Sequence, residues 1–113
     1  MDKLIKYRGI LLKFMENYVS AYQNDPNKKM ETQIIADTER DHYQILRVGW
    51  QGSKYFHYCL FHFDIKNGKI WIQKNNTEEL IGDELVKMGI PREDIILGFQ
   101  PEDLRVHTGF GVN

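Results

Sequence analysis

The sequence lacks the features that mark secreted, membrane-spanning and strongly charged proteins. Cys59 is its one cysteine, so no disulfide can form within the chain, which suits a reducing compartment. No apolar run approaches the length of about 18 residues that crosses a bilayer, and no basic segment leads into an apolar leader with a cleavage site. We therefore expect a cytoplasmic protein that does not enter a membrane.

An excess of basic residues is also absent, since 15 lysines and arginines stand against 16 aspartates and glutamates. Affinity for the phosphate backbone depends largely on clustered lysine and arginine side chains, so this composition does not favour a protein that coats DNA. With 42% hydrophobic and 27% charged residues, the chain is typical of a globular protein. Its 113 residues predict a single domain over residues 1–113.

The N-terminal segment has the apolar spacing of an amphipathic helix. Apolar side chains recur every three or four residues from Leu4 to Tyr22, which predicts a helix of about 20 residues. The run 24–27 contains Pro26 and is predicted to end it, because proline disfavours helical backbone at the preceding residue and cannot continue the hydrogen-bond ladder.

An extended pattern follows. We predict four strands, at Gln33–Asp37, His42–Trp50, Lys54–Ile65 and Lys69–Lys74. The last two are joined by Asn67 and Gly68, a residue pair favoured in two-residue hairpin turns because both positions need positive φ.

The third predicted strand is apolar on both faces. Strict alternation assigns its side chains to two faces. One face carries Phe56, Tyr58 and Leu60, and the other carries His57, Cys59, Phe61 and Phe63. Such a strand belongs inside a sheet with both faces covered, so we expect this chain or another one to cover the second face. Cys59 is predicted to be a small buried hydrophobic residue.

A second helix is predicted from Thr77, as its N-cap, to Gly89, as its left-handed C-terminal cap, with Pro91 beyond it. The short apolar run Ile95–Phe99 and one helical turn at Pro101–Leu104 then lie in an irregular tail. The order is N-terminal helix, four-stranded antiparallel meander, second helix and tail. This order predicts an α+β fold.

The four histidines do not have the spacing of a known metal site. His57 and His62 are five residues apart on one predicted strand, and this odd spacing directs them to opposite faces. His42 and His107 lie in other elements. We predict no metal ligands and no cofactor, with the histidines hydrogen-bonded within or beside the core.

A dense polar run follows the first predicted strand, from Asp37 through Glu39, Arg40 and Asp41 to His42. Carboxylates and a histidine at one turn suit acid–base chemistry or Mg²⁺ binding. They suit equally a polar turn tied by an aspartate side chain and an arginine ion pair. The spacing matches no known catalytic motif, and no glycine-rich phosphate loop or nucleophile elbow occurs elsewhere. We predict no catalytic residues and a protein that is not an enzyme.

Four runs carry a family resemblance when taken together. They are KYRGILLKFMENY (Lys6–Tyr18), DTERDHYQILRVGW (Asp37–Trp50), NGKIWIQKNNTE (Asn67–Glu78) and GIPREDIILGFQPEDLRVHTGF (Gly89–Phe110). In this order they closely resemble the XisI-like family, the fdxN element excision controlling factors. The resemblance covers nearly the whole chain.

The resemblance implies a XisI-like fold and a small cyanobacterial protein that helps to control DNA recombination. The implied role is excision of a DNA element during heterocyst differentiation, beside a site-specific recombinase. It also implies a XisH-like partner with an endonuclease-type fold. Three positions depart from the family pattern, since Asn75, Gln100 and Gly109 replace an Asp, a His and a Glu. These departures favour binding over a shared catalytic role.

We therefore expect an accessory regulator that acts through protein contact. Its candidate contact surface comprises Asp37, Arg40, His42, Trp50 and Trp71. A homo-oligomer is expected as well, because two helices leave part of the sheet's surface or edge uncovered.

Two alternatives belong to other functional classes. The first is direct DNA binding within the recombination complex through a basic face, built from Lys3, Lys6, Lys13, Lys28, Lys29 and Lys54. The second is a hydrolase that uses the polar run Asp37–His42 with Mg²⁺.

Overall fold

The N-terminal helix buries one stripe of apolar side chains. The computed structural model, which describes residues 2–22 and 29–113, has a helix α1 at Lys3–Tyr22. Its buried side chains recur every four residues and are Tyr7, Leu11, Met15 and Val19. The predicted 20-residue helix is confirmed. The run 24–27, predicted to end it, lies outside the described residues.

The described residues form five strands in one sheet, ordered as they occur along the chain. The strands are β1 Lys29–Asp37, β2 His42–Gln51, β3 Lys54–Lys66, β4 Lys69–Asn75 and β5 Ile95–Leu97. The first four form the predicted antiparallel meander, and Asn67 and Gly68 have the positive φ of the predicted hairpin turn. β5 pairs parallel to β4, so the tail is less irregular than predicted. The α+β class is confirmed.

A β-bulge in β3 changes which of its side chains share a face. Ile45 of β2 pairs with Phe61, but the next residue, Leu46, pairs with Cys59. Leu60 is therefore an extra residue with no partner on β2. An extra residue inverts the alternation of side chains beyond it. The strict alternation predicted for this strand is wrong.

The bulge collects most of the apolar side chains of β3 on one face. Pairing with β2 and β4 puts five of them on the same side: Phe56, Tyr58, Phe61, Phe63 and Ile65. The opposite side carries Tyr55, His57, Cys59, His62 and Asp64. The second face is thus more polar than the sequence pattern predicts. Cys59 on it is half-buried rather than buried.

The second helix, α2, spans Ile81–Lys87 and begins later than predicted. Thr77 does not cap it, because its hydroxyl donates to Asn75 Oδ1 at 2.6 Å and accepts from the backbone N–H of Glu79 at 3.1 Å. Such local side-chain hydrogen bonds compete with helix formation. The helix ends before Gly89, whose φ of 113° fits the predicted glycine cap.

Both helices pack on the same face of the sheet, where their apolar side chains share one buried cluster with the strands. The ring of Phe61, for example, contacts Phe14 and Tyr18 of α1 edge-on, with centroids 5.8 and 4.8 Å away. We call the other face the open face. Within the described part of the chain, the 3-10 helix at Glu102–His107 reaches the end of the open face that β4 forms. There Arg105 lies over the ring of Trp71.

Candidate binding site on the open face

Four polar and aromatic side chains lie in one row across the open face. Strand pairing aligns Asp37 of β1 with His42 of β2, His42 with Asp64 of β3, and Asp64 with Trp71 of β4. Neighbouring strands are about 4.8 Å apart, so the row crosses the face within about 14 Å. The row thus brings together three of the five residues predicted for the contact surface, namely Asp37, His42 and Trp71.

Asp37 and Arg40 tie the turn between β1 and β2. Asp37 Oδ1 accepts hydrogen bonds from the backbone N–H groups of Glu39 and Arg40 at 3.0 and 2.9 Å, and its Oδ2 pairs with the Arg40 guanidinium at 3.3 Å. The backbone hydrogen bond from Arg40 is the main reason why the pKa of Asp37 falls below its usual value. Both side chains therefore have a structural role in the turn.

Asp41 faces away from this row. Its carboxylate accepts two hydrogen bonds from the Arg8 guanidinium, at 2.8 and 3.0 Å, and one from the Tyr43 hydroxyl at 3.0 Å. The bonds from Arg8 are the main cause of a lowered Asp41 pKa, while burial and the same carboxylate raise the pKa of Tyr43 to about 12. Asp41 thus anchors α1 to the sheet, and the polar run seen in sequence does not form one site.

Asp64 is the centre of a hydrogen-bonded group that we call the His-Asp cluster: His42, His62, Asp64 and Gln73. Asp64 Oδ1 lies 2.7 Å from His42 Nδ1 and 2.9 Å from His62 Nε2. Gln73 Nε2 donates to Asp64 Oδ2 at 3.1 Å. Burial alone would raise the pKa of Asp64, but the hydrogen bonds from these three neighbours outweigh it and lower the pKa.

Trp71 lies beside the cluster, and its ring is in contact with two cations. The Lys66 ammonium is 4.3 Å and the Arg105 guanidinium carbon 5.1 Å from the Trp71 ring centroid. Cations favour such positions because the face of an indole ring carries negative charge. The contact between Arg105 and Trp71 holds the Glu102–His107 segment against the end of the sheet.

Trp50 lies far from this row, at the opposite end of β2. It is eight residues from His42 along the strand, a span of about 26 Å. Its ring contacts that of Tyr55, with centroids 5.1 Å apart, and both side chains are about half exposed. Together with the neighbouring apolar side chains of the open face they form what we call the apolar patch: Ile35, Leu46, Val48, Trp50 and Tyr55.

The comparisons with known proteins decide the family. The family model described as XisI protein matches residues 1–112. This chain belongs to the XisI family. The crystal structure of a XisI-like protein from Anabaena variabilis is 48% identical, covers 97% of this chain and 99% of that one, and has a TM-score of 0.89.

A second XisI-family structure is described as the fdxN element excision controlling factor XisI of Anabaena variabilis. It is 36% identical, covers 99% of this chain and 100% of that one, and has a TM-score of 0.84. No curated protein matches the chain significantly. The predicted family and fold are both confirmed.

Sequence reasoning missed three members of the His-Asp cluster in this XisI-family chain, namely His62, Asp64 and Gln73. His62 and Asp64 are two residues apart on a strand, and this spacing places both side chains on one face. That spacing was the available signal. His57 and His62, predicted to face opposite ways, share the open face because of the bulge, but lie about 13 Å apart along the strand.

The three departures from the family pattern lie outside the cluster. Asn75 shapes the loop after β4, since its Oδ1 accepts from the N–H of Thr77 and its Nδ2 donates to the carbonyl of Glu79. The backbone carbonyl of Gln100 accepts from Arg105, and Gly109 has a φ of 82° that favours glycine. These positions serve local structure here.

The lysines of the alternative basic face are divided between the two sides of the sheet. Lys6 and Lys13 lie on α1, whereas Lys29 pairs with Trp50 on the open face. Lys3 forms an ion pair with Asp94 at 2.9 Å, and Lys28 lies outside the described residues. Among the described helices, none is long and apolar enough to cross a membrane.

Proposed function

We propose that this chain is a non-catalytic accessory protein that controls excision of a DNA element through contact with another protein. Membership of the XisI family supports the process, since one relative is described as an excision controlling factor. A net charge of −1 and the division of the lysines support protein contact rather than DNA contact.

The observation that carries the proposal is the apolar patch. Its residues Trp50 and Tyr55 are 50% and 52% exposed, although aromatic side chains of this size are usually covered. Tryptophan and tyrosine are enriched at the energetic centres of protein interfaces because they bury much apolar area at little entropic cost. A partner seated on these two rings would complete the open face.

The edge of the sheet offers the same partner a second contact. β1 is an outer strand of nine residues, and no other strand of the described residues pairs with its free side. Ile34 and Ile35 on it are 37% and 47% exposed. An open strand edge presents unpaired N–H and carbonyl groups that another chain can bind. The proposed partner is a XisH-like protein, and self-association through the same edge is the competing use.

Co-expression with a XisH-like protein, followed by size-exclusion chromatography with light scattering, tests this function. We expect a stoichiometric complex that the double variant Trp50→Ser, Tyr55→Ser no longer forms. The control is Ile5→Ser, since Ile5 is 61% exposed but lies on α1, on the other side of the sheet. A complex that tolerates the double variant, or a homo-oligomer that ignores the XisH-like protein, would contradict the proposal.

A further inference from the structure

Two imidazoles and a carboxylate meet at a part of the open face that the proposed function does not use. His42, His62 and Asp64 each offer one ligand atom, and these three atoms lie within 4.8 Å of one another. Asp64 is buried, whereas the side chains of His42 and His62 are 56% and 29% exposed. The ligand atoms therefore lie at the surface of the sheet, with protein beneath them and solvent above.

We propose that this cluster binds one divalent transition-metal ion of the Zn²⁺ class. Neutral imidazole nitrogens and carboxylate oxygens are common ligands of Zn²⁺ and its neighbours in the first transition row. Mg²⁺ and Ca²⁺ prefer oxygen ligands alone, so two imidazoles disfavour them. Three protein ligands leave at least one coordination position, which faces solvent and takes water in the isolated protein.

The two separations that involve Asp64 are close to those that the ion requires. Zinc–ligand bonds of about 2.0–2.1 Å at a tetrahedral angle hold ligand atoms about 3.3 Å apart. Asp64 Oδ1 is 2.7 Å from His42 Nδ1 and 2.9 Å from His62 Nε2. The two imidazole nitrogens lie within 4.8 Å of each other, so binding requires both oxygen–nitrogen distances to open by about half an ångström and the two imidazoles to approach each other. The exposed ring of His42 is free of the packing that would oppose such a turn.

The neighbouring strands and Gln73 hold the three ligand side chains in one arrangement around Asp64 Oδ1. His42 is paired directly with Asp64 across β2 and β3, and His62 precedes Asp64 by two residues on the same face. Gln73 donates to Asp64 Oδ2 and so leaves Oδ1 directed at both imidazoles. Gln73 is the extra residue of a second bulge, because His62 pairs with Lys74 while the next residue of β3 pairs with Ile72. Such supporting hydrogen bonds orient metal ligands and raise affinity.

Without an ion, the same atoms form a hydrogen-bonded group in which both imidazoles contact Asp64. A metal site and a purely structural group would use the same residues. They differ in ion binding, since only a metal site is saturated by one ion per chain. They also differ in the role of Gln73. In a metal site its removal weakens binding about 10-fold or more, whereas in a purely structural group there is no binding to weaken.

Untagged, chelator-treated full chain titrated with Zn²⁺ in a calorimeter, and with Co²⁺ followed by visible absorption, tests the proposal. We expect one ion per chain. His42→Gln and His62→Gln should each weaken binding by more than about 30-fold, and Gln73→Ala by about 10-fold. The matched control is His57→Gln, an exposed histidine on the same face but outside the cluster, which should bind as the unmodified chain does.

Thermal unfolding supplies a second readout. Zn²⁺ should raise the melting temperature of the unmodified chain and of His57→Gln, but not that of His42→Gln. Because the His42 side chain is more than half exposed, its replacement preserves the fold even if His62→Gln does not. Binding without one-to-one saturation, or equal weakening by His57→Gln and His42→Gln, would overturn the proposal.

Discussion

The two faces of the sheet are built from the same strands but hold their side chains differently. On the helix-covered face Phe61 and Phe63 are fully buried, and the carboxylate of Asp41 is fixed by Arg8 and Tyr43. On the open face a carboxylate is shared by two partly exposed imidazoles, and the apolar patch is partly solvated. The covered face therefore holds most of the buried core, whereas the open face holds side chains that are partly exposed in the described residues. Substitutions matched between the faces should separate their contributions to stability.

The largest contrast is expected between two aromatic residues of β3. Phe63→Ala removes a fully buried ring that contacts Phe14 and Phe61, so it should lower the free energy of unfolding by about 3–5 kcal/mol. Tyr55→Ala, on the same strand but on the open face, should cost less than about 1 kcal/mol. Urea unfolding followed by circular dichroism measures both. Similar losses in the two variants would mean that the open face is also a packed core.

Tyr55 and Phe63 also show how far the faces of β3 could be predicted from the sequence. Positions 55 and 63 are eight apart, so strict alternation assigns them to one face. The bulge at Leu60 separates them, and no local sequence signal marks that extra residue. α1, the meander and the Asn67-Gly68 turn were predictable because each rests on spacing within a short window. β5 was not, since its three residues form a strand only by pairing with β4.

The candidate site was predictable only in part, for a related reason. His42 was singled out for its neighbours in sequence, but Asp41 beside it faces α1 while His42 contacts Asp64, 22 residues away. Consecutive strand residues face opposite ways, so a polar run divides between the faces. The cluster depends on the register of β2 against β3, which the bulge sets.

A second test compares buried and exposed carboxylates. Asp41→Asn weakens the link between α1 and the sheet, because a neutral amide cannot accept the paired hydrogen bonds of the Arg8 guanidinium. Hydrogen bonds to charged groups contribute about 1.5–3 kcal/mol, and we expect a loss of stability near neutral pH in that range. The control is Asp103→Asn, since Asp103 is exposed and should be nearly neutral to replace.

This loss should depend on pH. The fold lowers the pKa of Asp41, chiefly through Arg8, so the carboxylate stabilises the protein above the unfolded-state pKa of about 3.9. That contribution is lost as pH falls through the lower folded-state value, because folded and unfolded chains then bind the proton alike. The gap between unmodified protein and Asp41→Asn in urea unfolding should therefore shrink between pH 6 and pH 3. A gap that stays constant would assign the effect to packing instead of charge.

The smallest effect is expected at the ends of β3 itself, where two exposed lysines each contact a ring. The Lys66 ammonium is 4.3 Å from the Trp71 centroid on the open face, and the Lys54 ammonium is 5.1 Å from that of Phe56 on the other face. Indole attracts a cation more strongly than phenyl does, and an exposed pair contributes about 0.5–1 kcal/mol. Lys66→Met should cost about that much, and Lys54→Met less.

Tryptophan fluorescence in a Trp50→Phe background follows the Trp71 environment directly, because Trp71 is then the only tryptophan. Lys66→Met should shift its emission, whereas Lys54→Met should leave it unchanged. If both lysine variants unfold alike and neither shifts the emission, the contact with Lys66 contributes nothing and Arg105 alone covers the ring. The open face would then be held at its β4 end only by the C-terminal segment, and Arg105→Met should expose Trp71 to solvent.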